Sequence, residues 1–140
     1  MRKISIIAVL SLVALALAAV PVMAASPHEV PKDPIECVLN SDGTVTCDGT
    51  VAGLGNVSRV TTSIDVPFGC STRGNMKQPR GHIQGTSGPL QVRNGRVTFS
   101  VTAGPAVCPN GLNPAVGDFA TVTISDLDGN VLFTKRVPIT

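Results

Sequence analysis

The sequence predicts an all-β fold of two stacked antiparallel sheets, and three observations carry that prediction. Beyond residue 34, apolar and polar positions alternate with a period of two almost everywhere. The alternating runs are rich in Val, Thr and Ile, whose branched side chains suit a pleated surface. Gly and Pro, 14 and 11 of them, punctuate the runs with Asn and Asp, and outside the first 24 residues no window carries helical spacing. At 140 residues the chain supports one small domain. Charged residues are 14% and aromatics 3%, with neither Trp nor Tyr. That balance excludes a coiled coil, a charged disordered tail and a basic, aromatic-rich nucleic-acid binder.

The first segment is an address. Met1-Arg2-Lys3 is a basic head, Ile4 to Val20 is nearly continuous apolar chain, and Pro21 then precedes the small residues around Ala24. This is the three-part pattern of a secretory signal peptide, residues 1–24, with cleavage after Ala24; retention as a membrane anchor is the alternative. Export implies a secreted, extracellular protein with no membrane contact after cleavage. Loss of Arg2 and Lys3 from 11 cations leaves 9 against 9 acids, so the exported chain is formally neutral. Residues 25–34 are Pro-rich and polar and read as an extended leader. A single β domain is expected over 35–140.

Strands are expected at 35–40, 44–52, 57–67, 82–86, 89–93, 96–103, 118–126 and 131–138. The first two form a hairpin around Ser41-Asp42-Gly43, which sets Leu39 opposite Val45 and Cys37 opposite Cys47. Asn94-Gly95 is a two-residue turn that tolerates positive φ; it pairs Val92 with Val97 and Leu90 with Phe99. Leu90, Val92, Val97, Phe99 and Val101 then share a dry face. Asp128-Gly129 sets Ile124 against Phe133 and Ala120 against Val137, with Lys135 opposite Val122 and reaching out at a rim. The stretches 68–81, with Gly, Pro and three cations, and 104–117, with three Pro and three Gly, resist strands. Seven to eight short strands punctuated this way make an immunoglobulin-like two-sheet sandwich, with a small closed barrel as the alternative.

All four cysteines (Cys37, Cys47, Cys70, Cys108) fall in the exported part, and an even count there reads as two disulfides. The hairpin register favours Cys37–Cys47, leaving Cys70–Cys108 to tie the two irregular stretches; Cys47–Cys108, spaced like an inter-sheet bridge, is the rival. Chain entropy assigns about 2.7 kcal/mol to the short loop and about 4 kcal/mol to the long one. Zinc is disfavoured, because no Cys-x-x-Cys spacing occurs.

The stretches Gly43-Thr44-Val45-Thr46-Cys47, Val51-Ala52-Gly53-Leu54-Gly55-Asn56, Cys70 with Gly74-Asn75, Val92-Arg93-Asn94-Gly95-Arg96-Val97-Thr98-Phe99 and Cys108-Pro109-Asn110-Gly111 follow one another in this order. Over residues 37–125 the chain resembles a group of small secreted actinobacterial β-sandwich proteins of uncharacterised function. The resemblance implies an exported sandwich and supplies no active-site residues. More weakly, the chain is similar to the neocarzinostatin-type apoproteins, immunoglobulin-like carriers of an enediyne chromophore. That similarity rests on strand order, two disulfides and Ile124-Ser125-Asp126 with Gly129-Asn130. The later cysteines depart from that family's short-loop spacing.

The residues offer little to catalysis. His28 lies in the leader, His82 starts a strand, and no G-x-S-x-G elbow accompanies either. Paired carboxylates for glycoside hydrolysis would need Glu36, Asp42, Asp48 or Asp65, and Asp42 serves a turn. Gly53-Leu54-Gly55-Asn56 reads as a tight bend rather than a dinucleotide loop, since no helix follows. Asp126-Leu127-Asp128-Gly129-Asn130 lacks the terminal Glu of a calcium loop and reads as a hairpin turn. Asn56-Val57-Ser58 is a glycosylation sequon. The positive candidate is the segment holding Arg73, Lys77 and Arg80, three cations and no acid beside Cys70, with Arg93 and Arg96 nearby if their hairpin docks there. It would contact an anionic cell-wall polymer or protein surface, the alternative being a solvated loop whose charge is balanced by acids elsewhere. The sequence therefore predicts a secreted, non-enzymatic binding or structural module without cofactor or metal. A secreted protease inhibitor, through 70–81 or 108–117, and a neocarzinostatin-like small-molecule carrier are the alternatives.

Overall fold

The computed structural model describes residues 26–71 and 81–140. The expected signal peptide and Arg73, Lys77 and Arg80 lie outside the described residues. Ten strands occur among the described residues, against the seven to eight expected: β1 (His28–Glu29), β2 (Glu36–Leu39), β3 (Val45–Ala52), β4 (Arg59–Ser71), β5 (Gly81–Thr86), β6 (Leu90–Gln91), β7 (Val97–Ala103), β8 (Asn113–Val116), β9 (Phe119–Asp126) and β10 (Val131–Pro138).

They form two sheets, a β-sandwich. In the four-stranded sheet β3 is central, with β7 along one edge and β2 and β1 following each other along the other. In the six-stranded sheet β4 is the long central strand; β5 and β6 share one of its edges, β9 and β8 the other, and β10 lies outside β9. All ladders within the named strands are antiparallel.

Period-two patterning decides which side chains go inside. Val45, Cys47 and Val51 of β3 and Val97, Phe99 and Val101 of β7 face Val60, Ile64 and Val66 of β4 and Val122 and Ile124 of β9, all buried. Each such side chain contributes about 1.5–3 kcal/mol of apolar burial. Leu54, held in the 53–56 bend, closes one end of this core at 2% exposure.

The sheets meet at two corners. On one side the chain leaves β10 and Ile139 lies parallel to Cys37, with the Leu39 amide donating to Thr140 O (3.1 Å) and the Thr140 amide to Cys37 O (3.0 Å). That covers the edge of β2, which would otherwise expose unpaired backbone groups. On the other side β5 crosses β7 at Gly85, where a Cβ would come within 2.2 Å of Thr102 O.

Two expected hairpins form in the expected register: Leu39 faces Val45 and Cys37 faces Cys47, while Phe133 faces Ile124, Lys135 faces Val122 and Val137 faces Ala120. The third expectation is corrected. Asn94 (φ 54°) and Gly95 (φ 71°) do make the turn, closed by two 2.9 Å bonds between Arg93 and Arg96. Beyond it the arms separate: β6 pairs with β4 and β7 with β3, so Leu90 does not pair with Phe99. The five apolar residues still face one core, from two sheets rather than one.

Three further differences concern the irregular stretches. β4 continues through Pro67 to Ser71, and β8 lies inside the 104–117 loop, because each supplies the other's partner over Phe68–Ser71. Residues read as leader contribute β1 and the Val30–Asp33 bridge, and Asp33 O accepts from the Thr50 amide.

Candidate functional site

Alternation along four neighbouring strands of the six-stranded sheet points one set of side chains outward, and the register aligns them in rows. Ile64, Val66, Ile83 and Val122 go inside; their neighbours Asp65, Gln84 and Thr121 go out. Asp65 faces Gln84 of β5 on one side and Thr121 of β9 on the other, and Thr121 faces Arg136 of β10. The order Gln84–Asp65–Thr121–Arg136 thus crosses four strands. One row is hydroxylic: Thr86, Ser63, Thr123 and Thr134. The row on the other side carries His82 beside Pro67, and Phe119 beside Pro138.

The face is concave. One depression of about 370 Å³ is lined by Asp65, Pro67, His82, Asp118, Phe119, Thr121 and Arg136 with Gly117. A second, of about 430 Å³, is lined by Ser63, Gln84, Thr86 and Thr123 and shares Asp65 and Thr121 with the first. The two are therefore one continuous shallow trough.

Several of its groups are held in place. His82 Nδ1 lies 2.6 Å from Asp65 Oδ1, and Gln84 Nε2 donates to Asp65 Oδ2 at 3.5 Å, the long limit of a hydrogen bond. The Arg136 guanidinium lies 4.6 Å from the centroid of the Phe119 ring, a cation–π contact. Among the described residues Arg136 makes no ion pair. Asp65 and Asp118 against Arg136 give the first depression a formal charge of −1 with His82 neutral.

Both disulfides form as the hairpin register favoured. Cys37–Cys47 joins facing residues of β2 and β3 (Cα–Cα 4.1 Å), and Cys70–Cys108 joins the end of β4 to the segment before β8 (Cα–Cα 5.8 Å). Arg73, Lys77 and Arg80 fall between Ser71 and Gly81. Arg93 and Arg96 do not lie near that stretch's anchors: their turn adjoins the Arg59 end of β4, and the twelve steps from Arg59 to Ser71 span roughly 40 Å of extended strand.

Other singled-out carboxylates serve turns. Asp126 Oδ1 accepts from the amides of Asp128 (3.0 Å) and Asn130 (2.8 Å), and its Oδ2 from Asn130 Nδ2 (3.0 Å). The Asn130 side chain and amide hold this carboxyl below its ordinary range. The Thr44 hydroxyl and amide do the same for Asp42. Among the described residues no group of three or more His, Cys, Asp or Glu is placed to hold a metal ion.

Of the trough's residues the sequence singled out Asp65 and His82, each as a catalytic candidate, but not the row that joins Asp65 to Gln84, Thr121 and Arg136. Each outward position is legible from alternation, but the row needs the register of β4 against β5 and β9, which no short turn sets. With Phe99 and Phe133 read as core, the sequence offered almost no aromatic material for sugar stacking; of the two other phenylalanines, Phe119 is 40% exposed. Comparison with known proteins finds no matching family model, no matching curated relative and no matching solved structure.

Proposed function

We propose that this chain is an exported, non-enzymatic binding module, a sandwich of immunoglobulin-like type like the small secreted actinobacterial proteins it resembles. Its cationic stretch, Arg73, Lys77 and Arg80, meets an anionic polymer or acidic protein surface. The observation that carries this reading is the Cys70–Cys108 bridge. It fixes the end of β4 from which that stretch departs, and three cations without an acid on a tethered stretch attract a polyanion. Export rests on the basic head, apolar run and small residues before position 25.

The test is retention of the purified chain on an anionic wall polymer. Retention is expected to fall steeply with salt, and to vanish when Arg73, Lys77 and Arg80 are replaced together by Gln. Salt-insensitive retention, or retention by the triple variant, would overturn the reading.

One observation favours a second reading, the protease inhibitor. Val107 is 78% exposed between buried Ala106 and the tethered Cys108. An apolar side chain displayed on a braced segment is what a protease cleft takes. Stoichiometric titration of secreted serine proteases, abolished by Val107→Asp, tests it.

A further inference from the structure

We infer that the trough on the outer face of the six-stranded sheet binds a neutral saccharide chain, laid across β5, β4, β9 and β10. A polyol needs donors and acceptors in alternation along its edge and an apolar surface under its C–H face. The row Gln84, Asp65, Thr121, Arg136 supplies amide, carboxylate, hydroxyl and guanidinium in that order. At the spacing of neighbouring strands the row is about 14 Å long, room for several sugar units. Beside it, Phe119 is 40% exposed and carries the Arg136 guanidinium against its ring, so the pair presents a mixed apolar and cationic edge.

The hydroxyls of the two sheets differ in part: in the six-stranded sheet Thr123 and Thr134 also pair, at 3.5 Å, but others do not. On the four-stranded sheet the hydroxyls satisfy one another, Thr46 with Thr102 and Thr50 with Thr98, each pair 2.8 Å apart. In the trough, Ser63, Thr86 and Thr121 make no side-chain hydrogen bond among the described residues. Their capacity is turned outward. Asp65 is steadied by His82 and Arg136 by Phe119 before any ligand arrives, which lowers the cost of ordering them on binding.

Charge selects against a polyanion. Two carboxylates and one guanidinium repel a polyanion and leave a neutral polyol unopposed. The shallow, polar lining is also unlike the enclosed apolar pocket that takes a small hydrophobic molecule.

The experiment is calorimetry of the full chain, purified from culture medium, against a panel of uncharged oligosaccharides at about 50 mM and about 500 mM NaCl, where screening separates the two kinds of contact. At least one oligosaccharide is expected to bind with an affinity that salt leaves within about twofold, since no net ligand charge is screened. Asp65→Asn and Phe119→Ala are each expected to weaken it about tenfold, the loss of one good polar or stacking contact. Thermal melts of both variants confirm the fold, and amide shifts on titration are expected on β4, β5, β9 and β10. The triple Arg73/Lys77/Arg80→Gln chain is expected to bind the same oligosaccharide unchanged, so failure of the polyanion reading and failure of this one are told apart. Binding of no uncharged oligosaccharide, binding abolished by salt, or full affinity in folded Asp65→Asn and Phe119→Ala chains would overturn the inference.

Discussion

Glu29 of β1 and Lys135 of β10 form an ion pair that ties the edge of one sheet to the edge of the other. Lys135 stands in an inward row, opposite buried Val122, yet β10 is the outermost strand of its sheet. Its chain leaves at that edge, crosses the open side of the sandwich and reaches Glu29, whose other oxygen accepts from the Ile35 amide at 3.0 Å. A cation in a core row is thus satisfied by a residue that the sequence assigns to a leader.

This pair makes acid stability depend on Glu29. Partial burial alone would raise its carboxyl, but the bonds from Lys135 and the Ile35 amide outweigh that and hold it below its ordinary value of 4.5. A carboxyl lowered by folding stabilises fully above its unfolded value, and the contribution is lost as pH falls through the folded one. Glu29→Gln keeps an acceptor for Ile35 and removes the charge. It is expected to cost up to about 1 kcal/mol at neutral pH, and the gap from the parent protein is expected to close as pH falls below 4.5. Urea titrations across that range check it; a gap that persists unchanged into acid would refute the assignment.

Thr62 sits on the inner face of β4 with no exposure, and its hydroxyl has no hydrogen-bond partner among the described residues. Its amide donates to Ser87 Oγ at 2.9 Å. Thr62→Val removes the stranded hydroxyl and keeps the branched shape, so it is expected to stabilise by about 1 kcal/mol. Ser87→Ala strands the amide instead and is expected to destabilise by about 1–2 kcal/mol. Paired thermal melts that move the two variants in the same direction would contradict this.

Gly85 marks the corner where β5 lies against β7. A Cβ there would meet Thr102 O at 2.2 Å and Thr102 C at 2.8 Å, backbone atoms that cannot swing aside. Gly85→Ala is expected to cost about 1–3 kcal/mol as overpacking, whereas Gly88→Ala, in open space, is expected to be near neutral. Equal denaturation midpoints for the two would show that the corner yields.

The hairpins at 36–48 and 119–138 were legible because each turn joins strands that stay in one sheet, so the loop length sets the register. Asn94-Gly95 was equally legible as a turn, yet its arms go to different sheets. A dry face records only that Leu90 and Phe99 meet the core, and it is satisfied as well across the sandwich as within a sheet. β8 escaped because Pro and Gly crowd its neighbourhood, and its partner, the Phe68–Ser71 end of β4, is distant in sequence. The trough escaped for the same reason, its row being assembled from strands that no single turn links.

The two disulfides differ in access, and that difference predicts an order of opening. Cys37 and Cys47 are 1% and 0% exposed, walled in by both sheets, whereas Cys70 and Cys108 are partly exposed. Thiol–disulfide exchange requires the attacking thiolate to reach a sulfur atom. Graded reduction followed by alkylation and mass analysis is expected to yield first a species labelled at Cys70 and Cys108 alone. The closed loop it releases is worth about 4 kcal/mol by chain entropy, a loss that a domain of typical stability, about 5–15 kcal/mol, survives with a lower melting temperature. The singly reduced chain is therefore expected to remain folded. On the polyanion reading proposed above it should lose affinity for polyanions, because Cys108 no longer braces the end of β4, while Gln84, Asp65, Thr121 and Arg136 keep their register. Labelling of all four cysteines together would show instead that the outer bridge holds the whole sandwich closed.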